Sequence, residues 1–142
     1  VKTVSAEIDI NATPERVWQV LTDLNGHADW DPFITHAAGD ISVGEKISVT
    51  IEPPGGRAMT FKPTITQVDD NRELAWLGHF VMPGIFDGAH RFTLEPHGDG
   101  TRVCQSEAFS GVLVWFSRGL LANTERGFSA LNHALKQRAE QH

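Results

Sequence analysis

Arg102 to Glu140 reads RVCQSEAFSGVLVWFSRGLLANTERGFSALNHALKQRAE, and its apolar period changes part-way along. Up to Phe109 the residues alternate: Val103, Gln105, Glu107 and Phe109 share one face, and Arg102, Cys104, Ser106 and Ala108 the other, as in a strand. From about Gly111 the spacing becomes three to four. Leu113, Phe116, Leu120, Leu131 and Leu135 form an apolar stripe, with Arg118, Asn123, Glu125, Arg126, Lys136 and Arg138 off it. That pattern predicts a long amphipathic helix from about Gly111 to Glu140. Gly119 and Gly127 fall inside it, each costing roughly 1 kcal/mol relative to Ala. Such glycines mark a bend or a place where another backbone or a ligand comes close, or are simply tolerated.

Upstream, the chain reads mostly as strands. Val4, Ala6, Ile8 and Ile10 alternate with Ser5, Glu7 and Asp9. Thr13-Pro14-Glu15 then gives a helix start, with a hydroxyl cap, proline at the first helical position and an acid at the positive dipole end. Val17, Leu21 and Leu24 continue that helix, and Asn25-Gly26 is its expected stop. Trp30-Asp31-Pro32-Phe33 reads as a turn or a second short helix. About six consecutive strands follow. They are carried by Ile47, Val49 and Ile51, by Met59, Phe61 and Ile65, by Leu74 to Leu77, by Phe86 to Glu95 and by Arg102 to Phe109, with turns at Pro53-Pro54-Gly55-Gly56, Asp69-Asp70-Asn71 and Pro96 to Gly100. Pro63 implies an edge or a bulge. An antiparallel meander with helices gathered at its ends is an α+β layout, and 142 residues suit one domain, residues 1–142.

Composition narrows the partners. A net charge of −6 with scattered Lys and Arg argues against nucleic acid. The start carries no apolar signal core, and Val112 to Phe116 is too short to span a bilayer, so stable membrane insertion is not expected and the cytoplasm is the default location. Cys104 is the only cysteine, and none of the seven histidines has strand or helix ligand spacing. Neither a metal site nor a cofactor is expected.

The order of elements, with these residues, resembles the START-like helix-grip superfamily (SRPBCC), and especially its polyketide cyclase/dehydrase-like branch. The resemblance rests on Ile8-x-Ile10-x-Ala12-x-Pro14-Glu15-Arg16-Val17-Trp18, Trp30-x-Pro32-Phe33, Glu73-Leu74-x-Trp76, His90-x-Phe92-x-Leu94-Glu95-Pro96, Glu107-x-Phe109-x-Gly111 and Asn132-x-x-Leu135-Lys136. It implies a curved antiparallel sheet wrapped around the long C-terminal helix, two short helices after the first strand, and a cavity between sheet and helix. Members of such families bind lipids, carry hormones, cyclise polyketides or assist chaperones.

The residues support three readings of function. The first is a binding or carrier domain for a small hydrophobic molecule of lipid, polyketide or aromatic type. Its expected lining is Trp30, Phe33, Phe61, Trp76, Phe80, His90, Phe92, Glu107, Phe109, Phe116, Leu120 and Phe128. Most of these aromatics would also serve simply as core. The second is a cyclase or dehydrase with Glu107 and His90 as acid/base groups, since an inward carboxyl and a histidine on neighbouring strands come within reach of each other. Either residue could instead be a satisfied structural group. The third is a co-chaperone-like interaction module, which predicts a large exposed apolar patch. Val81 to Phe86 is the expected lip of the cavity. His27, His36, His79, His97 and His133 are expected in loops or on the surface.

Overall fold

In the structure, a computed structural model, residues 2–79, 84, 87–111 and 118–141 are described. Strand β1 (Lys2–Ile10) buries Val4 and Ile10 and turns Glu7 and Asp9 outward, following its sequence alternation. Helix α1 (Pro14–Thr22) starts as its residues dictate: the Thr13 hydroxyl accepts the Arg16 N–H at 3.2 Å. It ends at Thr22, before Asn25-Gly26; Gly26 instead precedes α2 (His27–Trp30), a single turn that stops short of Pro32.

Seven strands follow: β2 (Ile34–Ala38), β3 (Ser48–Ile51), β4 (Met59–Phe61), β5 (Thr64–Asp69), β6 (Glu73–His79), β7 (Asp87–His97) and β8 (Gly100–Ser110). β2 is the strand that periodicity overlooks. A register shift between Ile34 and His36 breaks its alternation, so Ile34 and Ala37 are both buried although three residues apart. One antiparallel sheet runs β1-β8-β7-β6-β5 and another β2-β3-β4. Pro63 marks the break between β4 and β5. Lacking an N–H, it cannot donate to a ladder, but its carbonyl accepts the Ile47 N–H at 3.0 Å. Ile65 N–H donates to Glu45 O at 2.8 Å and Gly44 N–H to Ile65 O at 2.9 Å, so the segment before β3 ties the two sheets together.

The long helix α3 spans Arg118–Glu140; Gly111 is a bend, and the predicted helix start over residues 112–117 lies outside the described residues. Its buried stripe of Thr124, Gly127, Phe128, Leu131, Asn132, Leu135 and Ala139 lies against β1, β8 and α1. Burying Phe128, Leu131 and Leu135 contributes roughly 1.5–3 kcal/mol each. Gly127 is there for contact. A Cβ at that position would stand 2.3 Å from Cδ1 of Phe33, whose ring meets Phe128 edge-on at 5.6 Å.

His27 corrects the sequence reading. It is 2% exposed, not on the surface. Its Nδ1 lies 2.8 Å from Asp31 Oδ2 and its Nε2 2.7 Å from Leu21 O. Asp31 Oδ1 accepts the N–H groups of Phe33 and Ile34 at 2.8 and 3.0 Å. This buried knot sets where the chain leaves α2 and enters β2.

Candidate functional site

Three strand registers assemble the site. β6–β7 pairing sets Trp76 opposite His90, and β7–β8 pairing sets His90 opposite Glu107. Glu107 in turn faces Val4 of β1. Because side chains alternate along a strand, these partners all project from the same face, the one covered by α3.

His90 Nδ1 is 2.9 Å from Glu107 Oε1, and the two side chains are 3% and 9% exposed. Aromatic rings enclose the imidazole. Trp76 stacks on it with centroids 5.0 Å apart and planes 16° apart, Phe92 leans on it at 4.5 Å, and Phe128 meets it perpendicularly at 4.9 Å. Nε2 is buried and has no hydrogen-bond partner among the described residues.

Both residues line a cavity between the sheets and the first turns of α3. Its described walls are Phe33, Ile34, Ile51, Met59, Phe61, Trp76, Phe109, Leu120 and Thr124 besides the His–Glu pair. The unfilled space is about 400 Å³ counted out to its opening, but it is narrow: the centre of a water molecule can occupy only about 20 Å³. That is room for one or two waters. Thr124 supplies the other polar side chain of the wall, and its hydroxyl is already donated to Leu120 O at 2.8 Å.

Of the residues singled out from sequence, Phe33, Phe61, Trp76, His90, Glu107, Phe109 and Leu120 stand around this cavity. Phe92 and Phe128 are fully buried behind it, packed on His90. Trp30 is elsewhere: it tilts against His27 at 4.6 Å and borders a polar surface groove with Arg16, Asp23 and Arg138. Phe80, Phe116 and the expected lip of Val81 to Phe86 fall outside the described residues, apart from Gly84. Ile34, Ile51, Met59 and Thr124 went unselected in the sequence. Ile51 and Met59 are cross-strand partners; counting outward from the turn at Pro53-Pro54-Gly55-Gly56 would pair Ile51 with Ala58, one residue off the register that the fold adopts. Thr124 lies one turn beyond Leu120, a position its hydroxyl disguised.

Among the described residues, no three His, Cys, Asp or Glu side chains stand together as a metal-ligand group. No helix among them is long and apolar enough to cross a membrane.

A model of the family described as "Polyketide cyclase / dehydrase and lipid transport" matches residues 2–140. Among solved structures, the ZhuI aromatase/cyclase from Streptomyces sp. R1128 is similar to this chain at a TM-score of 0.80 and 18% identity, covering 99% of this chain and 94% of that one. A START superfamily protein from Mycobacterium smegmatis is similar at 0.77 and 18%, covering 98% and 97%. A protein from Mesorhizobium loti is similar at 0.76 and 21%, covering 96% and 95%. At these identities the likeness is one of fold. No match was found among curated proteins.

Proposed function

Because this chain belongs to the polyketide cyclase / dehydrase and lipid transport family, we propose that it binds a small, mostly apolar molecule between the sheets and α3, with the His90–Glu107 pair at the polar end. One observation carries the reading: a hydrogen-bonded imidazole and carboxyl are buried together at the wall of an otherwise apolar cavity. Burying such groups is costly unless they serve a partner. A ligand covering ~300 Å² of apolar surface would gain roughly 7 kcal/mol before the costs of association.

The narrowness of the cavity means that a ligand enters by parting its walls. Among the described residues a seam lies between α3 and the β3–β4 hairpin, where Leu120, Leu121, Met59 and Phe61 are only partly buried. Trp76 reports on entry. Saturable quenching of its fluorescence by fatty-acid or fused-ring aromatic probes, lost in Trp76→Phe, is the expected result, alongside a ligand-bound mass in native mass spectrometry. If no such probe binds saturably, the reading fails.

A second reading has its own support. A carboxyl that holds an imidazole by one nitrogen and leaves the other free is the arrangement of an acid/base catalyst, and one solved neighbour of this fold is an aromatase/cyclase. On that reading Glu107→Gln would abolish turnover while leaving ligand affinity within a few-fold. The interaction-module reading has less to stand on: among the described residues, the large apolar side chain that is exposed is Val43, at 63%.

A further inference from the structure

Resting on the binding role above, we propose that the apolar end of the ligand lies on the bare backbone of Gly78, in the place that the Phe61 ring fills in the free protein, and that this ring is the wall that moves on entry. Gly78 of β6 and Gly88 of β7 are register partners, and Phe109 of β8 completes their row. The next inward-facing row holds Trp76, His90 and Glu107, and alternation turns both rows to the same face. Both glycines are buried. A glycine inside a strand weakens it, and marks a bulge, a bend or the close approach of a ligand or another chain segment. Here the β6–β7 register runs without a shift, and neither glycine has a positive φ. The backbone conformation does not call for glycine at these positions; the space over them does.

Over Gly78 that space is filled by Phe61. A Cβ at position 78 would stand 3.0 Å from Cε2 and 3.1 Å from Cδ2 of the ring, tighter than ordinary van der Waals contact. The same ring lines the cavity, so it separates the Gly78 backbone from the unfilled space. Phe33, Trp76 and Phe109 of the described wall are 3%, 4% and 2% exposed, whereas Phe61 is only partly buried. Its strand, β4, is three residues long and stands last in its sheet. The centre of a water molecule can occupy only about 20 Å³ of the cavity as it stands, so a larger molecule needs a wall to yield. Swinging Phe61 outward leaves the buried rings in place and uncovers a floor without a side chain, two residues along β6 from Trp76.

Nuclear Overhauser contacts between the Phe61 ring and the Gly78 α-protons, present in the ligand-free protein, are expected to disappear at saturating 2-acetylnaphthalene. Contacts from Gly78 to the naphthalene rings should replace them. Phe61→Ala should bind this probe at least as tightly as wild type, having no ring to displace, whereas a fixed wall would bind less tightly without its ring. Adding Gly78→Val to Phe61→Ala, where the new side chain meets no ring, should weaken binding by about 10-fold or more by filling the place of the ligand. Should a variant not fold, the spectra of the wild-type protein decide. Phe61–Gly78 contacts that persist in the loaded protein, weaker binding by Phe61→Ala, or no loss on adding Gly78→Val each overturn the inference and leave apolar binding in the cavity intact. If 2-acetylnaphthalene does not bind saturably, the binding role itself fails, and the seat on Gly78 with it.

Discussion

Phe33 and Gly127 meet where the cavity wall joins the core, and the contact is close enough to be tested by a single methyl group. Gly127→Ala would gain about 1 kcal/mol of helix propensity but drive a Cβ to 2.3 Å from the Phe33 ring. Overpacking of this kind costs about 1–3 kcal/mol, so a net loss, or a ring pushed towards the cavity, is expected in denaturant unfolding. Gly119→Ala is the matched control, with nothing within 4 Å of the added carbon, and should be neutral or stabilising by up to about 1 kcal/mol. Asp31 gives a larger effect. Asp31→Ala strands His27 and two backbone N–H groups in the core, and breaking a buried pair costs about 3–5 kcal/mol. Asp31→Asn keeps an acceptor for Phe33 and Ile34 and should lose distinctly less on the same measurement. From the sequence Gly127 read as a bend, a close approach of backbone or ligand, or a tolerated glycine, and residue types alone could not name the Phe33 ring as the neighbour. Sequence reading misjudged His27 because a histidine after Asn25-Gly26 looks like loop, and only the folded chain brings the Leu21 carbonyl and Asp31 to its two nitrogens.

α3 is held most firmly at its C-terminal end. Arg16 of α1 donates to the carbonyls of Ala139 and Gln141, which the helix end leaves unmet within the backbone, and to that of Arg138, which also accepts the Gln141 N–H. Glu140 accepts the Asn11 N–H at 2.8 Å and Lys136 Nζ at 2.5 Å. These bonds hold the Glu140 carboxyl below its ordinary range, the hydrogen bond from Lys136 being the largest cause. A carboxyl depressed in the folded state stabilises above its unfolded value and loses that contribution as pH falls through the folded one. Wild type should therefore melt above Glu140→Gln at pH 7, with the gap closing as the pH falls below the ordinary glutamate range and through the depressed folded value. Inside, Gln105 of β8 donates to Asn132 Oδ1 at 2.9 Å and to Phe128 O at 3.4 Å, clipping helix to sheet. Burial predicts a gradient along α3. Amides near Phe128, Leu131 and Leu135, fully buried, should exchange with solvent more slowly than those from Leu121 to Asn123. The less buried of these two stretches lies beside Leu120 and Thr124, which line the cavity.

At the scale of the whole molecule, the eight strands and the long helix among the described residues share one core, and Leu120 and Thr124 of α3 stand in the cavity wall. A ligand that binds only the folded protein adds about 2.7 kcal/mol at one hundred times its Kd. For a chain of this size that raises the melting temperature by about 5–10 °C. Calorimetry with 2-acetylnaphthalene should show such a rise, and an unchanged transition at saturating probe would count against ligand binding.

What the chain determined by itself was its alternation and its change of period. β1, β6, β7, β8 and α3 were legible because each repeats one short-range rule over many residues, and the inward face of β8 followed from the same rule. The tertiary structure decided what period alone cannot carry. It closed β2 into the sheet through a bulge, joined two sheets around Pro63, sank His27 into the core, and left His90 with one nitrogen on Glu107 and the other unmet. Those outcomes depend on which distant groups a side chain meets, and a hydrogen bond or a steric limit exists only when the fold has brought its second partner into place.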